Sequence, residues 1–549
     1  MKKIIISALA LFLSTVAFAG NQQGIDYYNA GQLKPAKAFF EKQQSTESGA
    51  SLSEVFYYLG QIAFDEDRIT GAASFFQKGI EANPGNLLNK IGQGMVLLNQ
   101  GNSQVAAELF KAAKAVNKKD VNIFVAVAYA YLKNNMTVEA RENLELARKL
   151  DYKNPRLFLL EGDIAAAENN IGAAASAYNQ ALSLDPNYKE AYLKYARVYY
   201  TVNPDLSIQR LEKLLSIDPD YKIAYRELGE IQYYKGAFKR ATEAYQQYFA
   251  EGANIYSMED QARYANILFF NKDYAQSLAV VNEGLTNDPN HFSLNRLRFY
   301  NEFELGNLEN AQAVANHFFS LGNDKNKFIA LDYMYKGRLM TALNDTPAAI
   351  EAFRQATVID PNNAEAYKQI AEAYRTMGDY DNGIAAYKEF IARSGDKLQN
   401  SDIFSFGQYL YAAASNLVNS AVEMTPELTE KKNEWLALAD AQFAIVQEKA
   451  PGSYLGAFWR GHANALMDPN LELGLAKPYY EAAVAILTNP ETELVPTRQR
   501  DLITAYHYLA SYYYSQKMFA DSKSFWNKIL ELDPTNEAAL GAQKLQGIK

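Results

Sequence analysis

Small residues stand at Gly60, Gly94, Ala128, Gly162 and Ala196, each 34 positions after the last. A period of that length is a signature of stacked helical units. Most copies carry matching neighbours: a large apolar residue four positions before, a small one twelve after, an aromatic or Leu sixteen after, and often a closing proline. One copy reads Phe56, Leu59, Gly60, Ala72, Phe76 and Pro84; another reads Phe158, Gly162, Ala174, Tyr178 and Pro186. In general a small residue lets two helices approach, a ring fills the space between them, and a proline stops a helix.

Composition enters where it bounds the partners. With 48% apolar residues the 549-residue chain has enough to bury, and its 39 Tyr and 29 Phe suit the large packing positions. A net charge of -9 opposes binding along a phosphate backbone, so no nucleic-acid partner is expected. The absence of cysteine excludes disulfides, Cys-based zinc sites, thiol nucleophiles and a lipid-modified cysteine.

The amino terminus has the pattern of a cleaved export signal. Lys2 and Lys3 precede an apolar run, Ile4–Phe18, and Ala17-Phe18-Ala19 places small residues where signal peptidase needs them. The run is short against the roughly 20 residues that span a bilayer. Segment 1–19 is therefore expected to be removed, leaving an exported chain with no transmembrane segment and, with Gly20 in place of a cysteine, no lipoprotein anchor.

The repeat pattern resembles the tetratricopeptide repeat. That resemblance implies an all-α solenoid, a right-handed superhelix of antiparallel helix pairs whose first helices line a concave wall. Its units divide the chain into an array of eleven over 20–396, a unit with a lengthened helical hairpin over 397–453, further units over 454–536 and a capping helix over 537–549. The hairpin rests on continuing apolar residues from Ile403 to Val422 and on Thr425-Pro426 as N-cap and first-turn proline. Thr488 to Arg500, with Pro490 and Pro496, reads as a connector.

Groove positions of the family lie at i, i+4 and i+7 on the first helix, so they form one stripe. From the Lys189 unit to the Ala364 unit that stripe holds Arg197, Tyr200, Arg226, Tyr233, Asn266, Phe269, Arg296, Tyr300, Arg338, Lys368 and Arg375. Arginine forks and aromatic faces suit an extended acidic peptide or a chain terminus. Glu230 and Glu372 share the stripe, and Glu190, Glu259 and Glu365 flank it, which leaves interhelical ion pairs as the other reading. The family's carboxylate clamp is not matched, since Glu230 and Arg263 stand where asparagines are required. Nearer the amino terminus the corresponding stripe is Tyr57, Gln61, Phe64, Ile91, Met95, Leu98, Val125, Tyr129 and Leu132. It is either an exposed apolar patch for a partner or is buried between adjacent units.

No catalytic constellation is found. Gly92-Gln93-Gly94 lacks the third glycine of a dinucleotide fingerprint, and no Gly-x-Ser-x-Gly elbow occurs. His462 and His507 fall on groove positions of consecutive units, but no third ligand accompanies them, so no metal or other cofactor is expected. The expected function is that of a non-enzymatic, exported scaffold or adaptor in the periplasm or envelope that holds protein or peptide partners during envelope assembly or secretion. The alternatives are a periplasmic chaperone for extended clients and a regulatory subunit of an envelope-polymer enzyme.

Overall fold

The computed structural model describes residues 20–250, 257–323, 327–490 and 495–546. The expected signal segment lies outside them. Among the described residues every long element is an α-helix, and successive helices are joined by short turns into antiparallel pairs.

Local sequence explains where the helices start and turn. Asn86, Asp120 and Asn154 cap the first helices of three units by accepting from the N–H two residues on, and Pro155 occupies a first turn where its missing N–H costs nothing. The turn within most pairs uses one residue with left-handed backbone. Asp67, Gly101, Asn135 and Asn169 have φ of 55°, 80°, 59° and 58°, and they are themselves 34 positions apart. Gly, Asn and Asp tolerate that region best.

The same repeat sets the packing. A Cβ on Gly60 would lie 2.5 Å from the Phe76 ring, one on Gly94 2.3 Å from Phe110, and one on Gly162 2.3 Å from Tyr178. Gly337 faces Phe353 and Gly407 faces Phe443 in the same way. Each ring is nearly or fully buried, so the glycine is a socket for the ring sixteen residues later, or thirty-six later where the hairpin is lengthened between Gly407 and Phe443.

The helices form two units, one ending at Leu305 and the other beginning at Gly306. The first contains the helix over 20–29, its partner Leu33–Gln43, seven further pairs from Gly49–Asp65 with Ile69–Ala82 to Met258–Phe270 with Tyr274–Asn287, and the helix Phe292–Glu304. This unit closes on itself. The Arg197 guanidinium donates to the Ala30 carbonyl at 2.5 Å, the Tyr28 and Tyr129 hydroxyls are 3.1 Å apart, and Lys34 Nζ reaches Glu259 at 2.5 Å. The first pair thus meets helices that follow it by up to 225 residues.

The second unit opens with Leu308–Ser320 and continues through pairs that include Ala330–Ala342 with Thr346–Ile359 and Ala364–Met377 with Tyr380–Ser394. The insertion is helical: Asn400–Ser420 and Pro426–Lys449 are 21 and 24 residues long, with Thr425 Oγ1 accepting from the Leu428 N–H. The expected connector is shorter than Thr488–Arg500, because Pro496 begins the helix Pro496–Ser515 as its first-turn residue. Helix Glu537–Gln546 follows, with Ala539 buried in a cluster with Trp526 and Ile529.

Candidate binding surfaces

Most cations of the Arg-rich stripe are paired with carboxylates of the chain itself. Arg197 pairs with Glu227 at 2.9 Å, Arg226 with Asp260 at 2.7 Å, Lys368 with Asp402 at 2.9 Å and Arg375 with Glu372 at 2.7 Å. Arg263 pairs with Glu230 at 3.0 Å while its guanidinium lies 5.0 Å from the Tyr233 ring. Asp260 is buried and also accepts from the Tyr248 hydroxyl at 3.1 Å. Burial alone would lower the Arg226 pKa, but the charge and hydrogen bond of Asp260, together with Tyr245 and Glu227, outweigh it and hold the guanidinium above its ordinary range.

The uncharged members behave as packing groups. Phe269 and Tyr300 are buried, with ring centroids 5.7 Å apart, Asn266 donates to the Tyr233 hydroxyl at 2.9 Å, and Tyr200 meets the Tyr234 ring edge-on. Arg296 lies 4.9 Å from the Phe292 ring. Arg338 differs from the paired cations. Its guanidinium stands 5.6 Å from the Tyr335 ring, and among the described residues no carboxylate pairs with it.

In the amino-terminal stripe Gln61, Phe64, Ile91, Met95 and Leu98 are buried between neighbouring helices, so no broad apolar patch is exposed there. Tyr57, Val125 and Tyr129 instead help to line a chamber of about 640 Å³ within the first unit. Its boundary includes Tyr28 of the helix over 20–29, Tyr58, Tyr188, Leu159 and Leu160, and the charged groups Asp65, Lys133, Arg156, Asp163, Glu190, Lys194 and Arg197. The chamber exists because the first pair caps what would otherwise be an open concave wall.

Two ionic clusters stiffen this chamber. Asp65 pairs with Lys133 and accepts from the Tyr28 hydroxyl at 3.0 Å. Asp163 accepts from Lys194 at 2.6 Å and from Tyr178 at 2.8 Å, and Lys194 also reaches Glu190 at 3.1 Å. Burial pushes the Glu190 pKa up against the opposing charge of Lys194. It also drives the Tyr57 hydroxyl up to about 12 and those of Tyr28, Tyr58 and Tyr129 well above the usual range, so all four stay protonated donors at neutral pH.

In the second unit His462 and His507 line one pocket of about 440 Å³ with Tyr480, Tyr508, Thr504 and Ser511. Burial lowers both imidazole pKa values. His462 sits among the rings of Tyr411, Phe458, Trp459 and Tyr480, which accounts for its desolvation. Among the described residues no group of three or more His, Asp or Glu could hold a metal ion, and no helix is long and apolar enough to cross a membrane.

Comparison with known proteins places these helices. Family models described as tetratricopeptide repeats match residues 159–202 and 364–396, and one described as a TPR repeat matches 337–378. The cytochrome c-type biogenesis protein CcmH of Escherichia coli (strain K12) is 23% identical over 179 residues, 32% of this chain and 50% of that protein. The chain therefore spans about half the length of the curated relatives it matches. Among solved structures, the C-terminal part of a TPR repeat-containing protein from Cytophaga hutchinsonii is 27% identical, covering 51% of this chain and 98% of its own, with a TM-score of 0.41. A tetratricopeptide repeat protein from Parabacteroides merdae is 18% identical, covering 46% and 98%, with a TM-score of 0.32. With its paired helices, its socketed rings and three matching stretches, this chain is an all-α tetratricopeptide-repeat protein.

Proposed function

We propose that this chain is an exported scaffold that holds protein or peptide partners on its repeats during envelope assembly or secretion. Repeat solenoids expose extended surfaces suited to protein partners, and the likeness to a protein named for cytochrome c-type biogenesis supports a role in assembly. The pattern of Lys2, Lys3 and Ile4–Phe18 supports export.

One observation carries the partner-binding reading. Arg197, Arg226, Lys368 and Arg375 are committed to carboxylates of the chain itself, while among the described residues Arg338 is not. A guanidinium against an aromatic ring and without a carboxylate is suited to an acidic side chain of a partner, to which it offers a fork of donors. Crosslinked capture from an envelope fraction tests this. Arg338→Ala should lose the acidic partner and keep the helical melting profile, and capture equal to that of the parent chain rejects the assignment. Export is tested separately by the first residue of the chain recovered from the periplasm. Gly20 is expected there, and an intact Met1 on cytoplasmic chain refutes it.

A further inference from the structure

Among the described residues, the chamber of the first unit contains one cation without a carboxylate partner. Lys133 is held by Asp65, Lys194 by Asp163 and Glu190, and Arg197 by Glu227 and the Ala30 carbonyl. Arg156 lines the same chamber, and its guanidinium makes a single hydrogen bond, to the Asn122 side-chain oxygen at 3.1 Å. Among the described residues it has no carboxylate partner. A guanidinium carries five N–H donors, so four remain to be satisfied by solvent or by a ligand.

Its position links it to the interior. Arg156 is exposed while Tyr57, Tyr58 and Tyr188 are only partly accessible, so it stands at the mouth and they stand within. Its positive charge acts on all three hydroxyls and on Glu190, lowering each pKa against burial. The interior adds Leu159 and Leu160, which are buried except where they face the cavity. The other charged groups of the lining are paired within the chain, so what is left for a ligand is a wall of rings and leucines beside one uncommitted guanidinium, an arrangement that orients a small organic acid. The chamber's volume of about 640 Å³ is within the roughly 300–1,000 Å³ of small-molecule sites. An extended peptide would have to displace the helix over 20–29, which is tied down by Tyr28 and by the Ala30 carbonyl.

We propose that this chamber binds a small organic carboxylate with an apolar or aromatic body, the acid group on Arg156 and the body among Tyr57, Tyr58 and Tyr188. The site is distinct from the partner surface at Arg338, and neither depends on the other.

Titration calorimetry on the full chain tests it with 3-phenylpropanoate and indole-3-acetate as probes, 3-phenylpropanamide as the uncharged counterpart, and a pentapeptide of four glycines and a carboxyl-terminal phenylalanine. At millimolar concentration one or both acids should bind, and the amide should bind at least tenfold more weakly. Arg156→Ala should lose at least tenfold in affinity for the acid, and Arg156→Lys should retain part of it. Because Arg156 is exposed and holds only Asn122, both variants should melt as the parent does without ligand. The proposal is overturned if neither acid binds, if the amide matches the acid, or if Arg156→Ala binds as tightly as the parent. Tighter binding of the pentapeptide than of the free acid overturns it as well, because the site would then recognise chain ends.

Discussion

Arg226→Ala separates a structural arginine from a partner-binding one. The Arg226 side chain is 26% exposed and Asp260 only 4%, with Nε to Oδ1 at 2.7 Å. Removing the guanidinium strands a buried carboxylate, and breaking such a pair costs about 3–5 kcal/mol. Two groups soften the loss: the Tyr248 hydroxyl still donates to Asp260, and the carboxylate lies in the first turn of Met258–Phe270, where the helix dipole favours negative charge. The lower end of the range, about 3 kcal/mol, is therefore expected. Repeat arrays unfold locally, so the readout is amide hydrogen exchange in Lys222–Tyr234 and Met258–Phe270, which should quicken by about a hundredfold. Adding Asp260→Asn to Arg226→Ala should recover a large part of the protection, since the second substitution removes the stranded charge. Unchanged exchange in Arg226→Ala, with lost capture of a partner, refutes the structural assignment and returns Arg226 to the binding surface.

Three further outcomes follow from the same packing. Burial holds the His462 pKa below the usual value of about 6.5, so the unfolded chain takes up the proton first as pH falls. Its contribution is complete above that pH and is lost below it, and protection of Tyr454–Met467 should fall between pH 7 and pH 5 more steeply in the parent than in His462→Phe. Gly94→Ala, whose Cβ would meet the buried Phe110 ring at 2.3 Å, should destabilise by about 1–2 kcal/mol after the gain in helix propensity, whereas Gly172→Ala, with its nearest atom 4.0 Å away, should be neutral or slightly stabilising in urea unfolding. Replacing residues 418–429 by a short glycine turn should leave the melting profile intact, because the buried Ala413, Ala414, Lys432 and Trp435 stay in place. Loss of the helical melt would show that the lengthened part of the hairpin is structural.

The helix pairs were legible because the contacts that make them are local and periodic. Gly60 and Phe76, or Gly94 and Phe110, are sixteen positions apart, and one short pattern describes each ring in its socket. The start of Pro496–Ser515 was missed because two prolines suggest a connector, although a proline at the first helical position begins a helix as readily as it ends one. The left-handed turns at Asp67, Gly101, Asn135 and Asn169 carry the same 34-residue period and would have marked the turn within each of these four pairs.

The stripe misleads for a related reason. Arg226 with Asp260 and Lys368 with Asp402 are each 34 residues apart, so a cation on one first helix is answered by a carboxylate at the equivalent level of the next. Scanning the stripe alone counts the cations and overlooks partners that lie one repeat on, just off it. That correlation was available in the sequence.

Closure of the first unit was not legible, because the separations that close it, 101 residues for Tyr28 with Tyr129 and 167 for Ala30 with Arg197, are not whole repeats and leave no periodic trace. They depend on curvature summed over several pairs, where a small change in each crossing angle moves the far end by many ångströms. The chemistry of the chamber follows from this accumulation. Tyr28, Tyr57, Tyr129 and Arg156 come from separate first helices, and only the closed turn brings them around one space. A substitution that opens the turn while leaving Arg156 and the rings in place should therefore weaken acid binding as much as loss of Arg156. Arg197 is the place to try it. Arg197→Met keeps much of the buried stem while removing the donors to Glu227 and the Ala30 carbonyl, so exchange should quicken first in the helix over 20–29. If protection there is unchanged, the closure is held by packing of the rings around Tyr28, and its polar ties are incidental.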